Sequence, residues 1–285
     1  LINFCIDSSG LYRGICEAIT DPIREHLSDS TICRTEQSGA TNVGFFVTQT
    51  NCQVFIPHGI ADKNYRNADK VNAFEYVFVS GPAWVDKLVR QGFPRDRILV
   101  GGYTKLDPVF QGKYEQTRRT FCVILYAPTH GAIPEVSLDG RFEQYLPHLE
   151  EYYIVIHAPH PAQVTGQKNG GQVTMQALVD ADIVITDAGS LVYEAWALGK
   201  PVVFPSWLTK EGVLGRFSGS FEEQIYREEI GYHATDYNDL LRHLKRAALF
   251  GIDDRAVSFI EQIFPVELRG RSGEVTANLL RRLEK

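Results

Sequence analysis

Long apolar runs are missing from this chain. No stretch approaches the ~20 residues that a helix needs to cross a bilayer, so a spanning helix is not expected. Cysteine is scattered: Cys5, Cys16, Cys33, Cys52 and Cys122 contain no CxxC pair, and Cys5, Cys52 and Cys122 lie in apolar surroundings. That pattern speaks against a zinc knuckle or a disulfide framework. Positive charge is not in excess, with 29 Lys and Arg against 35 Asp and Glu and a formal charge of −6. Composition therefore gives a nucleic-acid partner no support, and none is expected. Neither GxxxxGK followed by Ser or Thr nor a GxGxxG fingerprint is present, so a kinase or a dinucleotide oxidoreductase would need a different site. No signal-peptide pattern is visible from Leu1. A cytoplasmic enzyme is the expectation, with peripheral contact at the inner face of a membrane left open, because long-chain acceptors can be met at a surface. What is present is the ordinary composition of a soluble globular protein, 44% hydrophobic and 22% charged, at 285 residues. That length favours two domains.

The most informative stretch is residues 181–206, ADIVITDAGSLVYEAWALGKPVVFPS. Residues 183–186 form a short all-but-apolar run, which predicts a strand covered on both faces. Asp187-Ala188-Gly189-Ser190 turns the chain, 191–198 has helical spacing, Gly199 suits the helix stop, and 202–204 reads as the next strand. This is one crossover of an α/β domain, with its polar turn at the carboxyl end of the sheet, where such folds bind ligands. Gly189 and Ser190 place backbone N–H groups and a hydroxyl at a helix start, which suits a phosphate. Glu194, one turn further on, could accept from a ribose or glycerol hydroxyl. The plainer alternative is a helix cap with turn-forming Asp187 and Ser190 and an exposed glutamate.

Repeated strand–loop–helix units before and after this stretch predict open, mostly parallel sheets. Strands are expected near 1–6, 31–35, 43–48, 54–56, 75–79, 98–100, 121–126 and 153–156. Helices are expected over 11–27 (broken or kinked at Pro22), 83–91, 141–149, 175–179, 237–249, 255–263 and 274–285, with a short helix or lid in 217–226. The polar segment 111–120 is the natural connection. The expected division is 1–112 as an acceptor-side Rossmann-like domain, 113–265 as a donor-binding one, and 266–285 as a terminal helix packing back across the interface.

Four histidines leave strands or loops in suggestive places. His58 precedes Gly59 at a strand end, where an imidazole can take a proton from an attacking alcohol, and Lys63 offers a mobile charge for a phosphate or an acceptor. Thr129 and His130 sit in the turn after 121–126, where a hydroxyl and an imidazole suit a phosphate or an acceptor alcohol, although His130 is equally explained as an exposed loop residue. His157 and His160 are three apart, but Pro159 and Pro161 forbid a helix and no third ligand lies nearby, so no metal site is expected. His160 suits the charge of a diphosphate leaving group; His157 is expected to end the strand and bond locally. Neither a cofactor nor a metal is required by these residues.

Taken together, Pro57-His58-Gly59 with Lys63, Gly102-Tyr103-Thr104-Lys105-Leu106-Asp107, Tyr126-Ala127-Pro128-Thr129, His160-Pro161, and residues 182–190 with Lys200-Pro201 resemble the motifs of the CDP-glycerol glycerophosphotransferases and related CDP-alditol transferases of teichoic acid and capsule synthesis, in that family's order. The resemblance implies a GT-B architecture, two Rossmann-like α/β domains facing across a cleft. It further implies transfer of glycerol phosphate or ribitol phosphate from a CDP-alditol to an acceptor hydroxyl, with release of CMP. His58 would activate the acceptor, which would be lipid-linked or a polysaccharide. His160 would assist departure of CMP, and Thr129, Asp187, Gly189 and Ser190 would lie on the donor-phosphate loops. Three of the motifs depart from the family pattern: Pro57 replaces a tryptophan, His130-Gly131 replace Trp-Arg, and Ala188-Gly189 replace Tyr-Ser. Glu194 is shared instead with nucleotide-sugar enzymes of the same architecture. A GT-B glycosyltransferase, a nucleotide-sugar 2-epimerase, and a non-catalytic binding subunit are the alternatives. The oligomeric state is not legible.

Overall fold

The computed structural model describes all residues except 7–11, 64–66, 130, 132, 159, 161–169 and 285, and only the backbone of 170–174. The chain divides into two compact units. Unit 1 comprises Leu1–Ile60, Tyr65–Lys113 and Glu261–Lys285, and unit 2 comprises Ala61–Asn64 and Tyr114–Ile260.

Unit 1 is built on six short strands: β1 (Ile2–Cys5), β2 (Ser30–Cys33), β3 (Thr41–Gly44), β4 (Val54–Phe55), β5 (Tyr76–Val79) and β6 (Ile98–Val100). Their spatial order is β2-β1-β3-β4-β5-β6, and every pairing is parallel. β1 is buried along its whole length, as parallel strands covered on both faces must be. The helices of this part are α1 (Arg13–Arg24), α2 (Pro82–Arg90) and α3 (Asp107–Phe110). α2 shows the expected punctuation, with proline in the first turn and Gly92 at φ +87° just past the end.

Unit 2 holds β7 (Val123–Tyr126), β8 (Ile154–His157), β9 (Ile183–Ile185), β10 (Val202–Pro205) and β11 (Tyr232–Ala234), in the order β11-β10-β9-β7-β8, again all parallel. From β7 the chain moves outward to β8 and then returns to the other side of β7 as β9. The direction of winding therefore reverses between β7 and β9, and that is where an open parallel sheet leaves a crevice at its carboxyl edge. The helices are α4 (Leu146–Glu150), α5 (Gly170–Asp180), α6 (Ser190–Ala197), α7 (Ser206–Arg216), α8 (Phe221–Glu228), α9 (Tyr237–Phe250) and α10 (Asp254–Ile263). Ile124, Ile183, Ile185 and Val203 from the sheet pack with Leu240 and Leu244 of α9, all fully buried. Each such side chain is worth about 1.5–3 kcal/mol over exposure.

The chain ends in unit 1 with α11 (Ser272–Leu283). Asp107, 1% exposed, accepts from the backbone N–H groups of Ser272 (3.2 Å) and Gly273 (2.6 Å), capping α11. Gly273 is obligatory for the packing of α11 on α1, because a Cβ there would fall 2.4 Å from the Pro22 carbonyl oxygen. α1 itself corrects the sequence reading: it runs through Pro22 to Arg24 without breaking. The proline occupies the last turn, where it forfeits only one backbone bond. Residues 141–149 also differ from expectation, forming a 3₁₀ turn, Glu143–Tyr145, that leads into the short α4. Residues 111–120 form no helix. α7 and β11 were not anticipated.

Candidate active site

The crevice of unit 2 is organised by one buried carboxylate. Asp187, 0% exposed, follows β9 and accepts from the backbone N–H groups of Thr129 (3.1 Å to each oxygen), Leu138 (2.8 Å) and Ala188 (2.6 Å). Its own carbonyl accepts the Tyr226 hydroxyl at 3.0 Å. Burial pushes this carboxyl above its ordinary range, against the amides and the Lys63 ammonium that favour its charged form. Asp187 thus ties the loops after β7 and β9 together and presents no open face to a ligand. Thr186 adds a second tie, its hydroxyl donating to the Ala127 carbonyl at 2.6 Å.

On that frame four expected residues come together. Gly189 has φ +135°, a conformation side chains rarely adopt, and it opens α6. A Cβ placed there would meet Lys63 Nζ at 3.2 Å and the Thr129 methyl at 3.6 Å. The space above Gly189 is therefore flanked by an ammonium on one side and Thr129 on the other. Lys63 reaches it from the segment before residue 64, donating to the Ala188 carbonyl at 3.2 Å with its ammonium 5.8 Å from the Phe217 ring. Part of the lysine chain is accessible, but the ammonium is turned inward, and burial lowers its pKa while Glu222 and Asp187 raise it. Ser190 Oγ accepts from the Ala61 N–H at 3.4 Å, so the 61–63 segment and the start of α6 are joined twice. A helix start, a glycine without side-chain bulk and a lysine form a cradle whose chemistry fits phosphate oxygens.

The other expected residues fall less simply. Glu194 is 1% exposed, so a ribose contact through it requires the covering side chains to move. His160 is half-buried in the segment after β8. His130, Pro161 and residues 165–169 lie outside the described residues. His157 ends β8 and bonds locally, Nε2 to Glu150 at 3.0 Å. Among the described residues no group of three His, Cys, Asp or Glu is placed to hold a metal ion.

His58 belongs to unit 1, just after β4. Its ring stacks on Phe46 (centroids 4.6 Å apart) and meets Tyr12 edge-on. Nδ1 lies 3.2 Å from the Phe45 carbonyl oxygen, which can only accept, so Nδ1 carries the hydrogen and Nε2 is the basic nitrogen. That tautomer and clamped ring orientation suit a general base.

Sequence reasoning missed the residues behind Lys63. Asp62 and Glu222 are 0% and 1% exposed, and Tyr193 donates to Glu222 Oε1 at 3.1 Å. The usable signal was Ser220 three residues before Glu223, which marks the start of α8; Ser220 Oγ accepts the Glu223 N–H at 3.0 Å. It also missed Ser206 and His233, whose Oγ and Nδ1 lie 2.8 Å apart beside an open pocket of about 750 Å³ lined by Trp207, Arg141 and Lys210.

Two parallel-sheet α/β units, each flanked by helices, define a two-domain, GT-B-like architecture. Among solved structures, the Wall Teichoic Acid Polymerase TagF is similar at 14% identity with a TM-score of 0.66, over 99% of this chain and 88% of that one. A variant of the same polymerase soaked with CDPG is similar at 16% identity and a TM-score of 0.62, over the same shares of 99% and 88%. UDP-GlcNAc 2-epimerase from Neisseria meningitidis, bound to UDP-GlcNAc, is similar at 12% identity and a TM-score of 0.58, over 99% of both chains. No family model matches the chain, and no curated protein matches it in sequence. At these identities the likeness establishes the fold.

Proposed function

We propose that the protein transfers a glycerol phosphate or ribitol phosphate unit from a CDP-alditol to an acceptor hydroxyl and releases CMP. The observation that carries this reading is the cradle of Lys63, Thr129, Gly189 and Ser190 at the switch point of unit 2. It offers an ammonium, a helix start and a hydroxyl to a diphosphate. In the reaction the acceptor oxygen attacks the phosphorus that bears the alditol, its proton passes to His58 Nε2, and the bond to the CMP oxygen breaks. Lys63 and the α6 start offset charge on the departing phosphate, and His160 assists the same departure. The likeness in fold to a teichoic acid polymerase, and the ordered motifs of the sequence, support the donor class. A lipid-linked or polysaccharide acceptor follows from the same reading. Among the described residues no helix is long and apolar enough to cross a membrane.

A second reading is favoured by the fold-level likeness to a 2-epimerase and by Glu194: handling of a nucleotide-diphosphate sugar. A donor panel separates the two. CDP-glycerol, CDP-ribitol and UDP-sugars are each incubated with the protein and candidate acceptors, and the released nucleotide is identified. CMP from a CDP-alditol is expected. Turnover of UDP-sugars with CDP-alditols inert would replace the first reading with the second.

A further inference from the structure

Beneath the cradle lies a pair of carboxyl groups that no ligand contact explains. Asp62 Oδ1 accepts the backbone N–H of Phe221 at the first turn of α8 (2.9 Å), and the neighbouring residue on that helix is Glu222. Glu222 Oε1 accepts the Tyr193 hydroxyl, while Oε2 is buried and receives no N–H or O–H among the described residues. Because Asp62 holds the residue next to Glu222, the two carboxyl groups lie close enough to interact. Two carboxylate oxygens cannot bond to each other, and two buried carboxylates side by side repel. Among the described residues the orphan oxygen is satisfied in one way: it carries a proton.

We infer that Glu222 is held as the neutral acid and donates its proton to Asp62, so that the pair acts as a positioning device for the Lys63 ammonium. The inference rests on the reading of the Gly189 loop as a diphosphate cradle. With one proton shared, the pair presents a single negative charge to a single buried ammonium, and Asp62 fixes the segment that delivers Lys63 to Ala188 and Gly189. The charged and titratable groups that face Lys63 are Glu222 from α8 and Asp187 from the turn after β9. Asp62 and Tyr193 face Glu222, and Tyr126 and Tyr226 face Asp187. Burial, ahead of the nearness of Asp62, drives Glu222 well above its ordinary range. Loss of the shared proton at alkaline pH would set a second charge beside Lys63 and draw the ammonium off the loop.

The test reads the proton and the ligand separately on the full chain. Infrared difference spectra at neutral pH should show a protonated-carboxyl C=O band in the wild type that Glu222→Gln lacks. Asp62→Asn leaves in place the burial that chiefly keeps Glu222 neutral, so the band should persist at a shifted frequency, because an amide oxygen replaces the carboxylate that accepts the proton. Calorimetric titration with inorganic diphosphate and with CDP then reads the consequence. Glu222→Gln keeps a donor to Asp62 and should bind both probes within about threefold of wild type, without the wild-type decline at alkaline pH. Glu222→Ala removes the donor and should weaken binding by about tenfold or more, toward the level of Lys63→Met. Equal weakening in Glu222→Gln and Glu222→Ala, with one pH profile, would make Glu222 a plain carboxylate and overturn the inference. A wild type that binds both probes but lacks the band overturns the inference alone. A wild type that shows the band yet binds neither probe overturns the cradle reading, and the positioning role with it.

Discussion

The Phe45 carbonyl decides what His58 can do, because it takes the Nδ1 hydrogen and leaves Nε2 as the base. His58→Ala should therefore lower turnover by about 10²-fold or more while leaving CDP binding nearly intact, as steady-state kinetics beside nucleotide titration would show. Ser190→Ala should do the reverse, raising the donor KM more than it lowers kcat, because it removes a contact made before the transition state. His233 supplies a prediction independent of ligand. Its Nε2–H donates to the Ile230 carbonyl, Nδ1 accepts from Ser206, and burial holds it neutral with a pKa pushed down to about 4. The unfolded state, with an ordinary imidazole, takes up a proton first as the pH falls. The stability tied to this residue is thus complete above about pH 6.5 and is lost as the pH falls toward 4, about 3 kcal/mol at most. Urea unfolding of the wild type and His233→Gln should show a shallower decline over that window in the variant. The motif residues around the cradle were readable as chemistry in the chain itself. Their burial was not. Asp187 and Glu194 look like ligand contacts by spacing, and only the fold shows one consumed by backbone amides and the other covered.

The elements that were legible are those whose apolar runs and punctuation agree. β6, α2 and the β9–α6–β10 crossover fall within a residue or two of expectation. α1 continued through Pro22 because a proline near a helix end costs little, which spacing alone does not reveal. α7 escaped detection because it contains two glycines and carries its buried residues sparsely. Gly212 explains one of them: a Cβ there would sit 1.9 Å from the Glu135 carbonyl oxygen, so the loop after β7 rests directly on the helix. Gly212→Ala should cost roughly 1–3 kcal/mol in urea unfolding, despite the better helix propensity of alanine. A gain in stability would refute that contact. At the other end of the chain, Asp107→Ala strands two backbone amides at the start of α11 and should cost about 2–3 kcal/mol. The Gly-Tyr-Thr-Lys-Leu-Asp motif that contains it was read as part of a family signature, and its aspartate acts in unit 1 as a helix cap.

For the whole molecule, the alternation of strands and helices announced two parallel-sheet units, and the structure carries them. What no local pattern announced is that residues 61–63 belong with the loops after β7 and β9 of unit 2 while His58, a few residues earlier, belongs to unit 1. Only long-range packing, through Asp62 to Phe221 and Ala61 to Ser190, makes that assignment. It sets His58 and Lys63 in different units within one short segment of chain. The most direct measurement is ³¹P NMR of the protein mixed with CDP-glycerol and a hydroxyl acceptor. The account predicts that the paired diphosphate resonances give way in equal measure to a phosphodiester and to CMP. Diphosphate resonances that persist, in a sample that consumes a UDP-sugar under the same conditions, would contradict it.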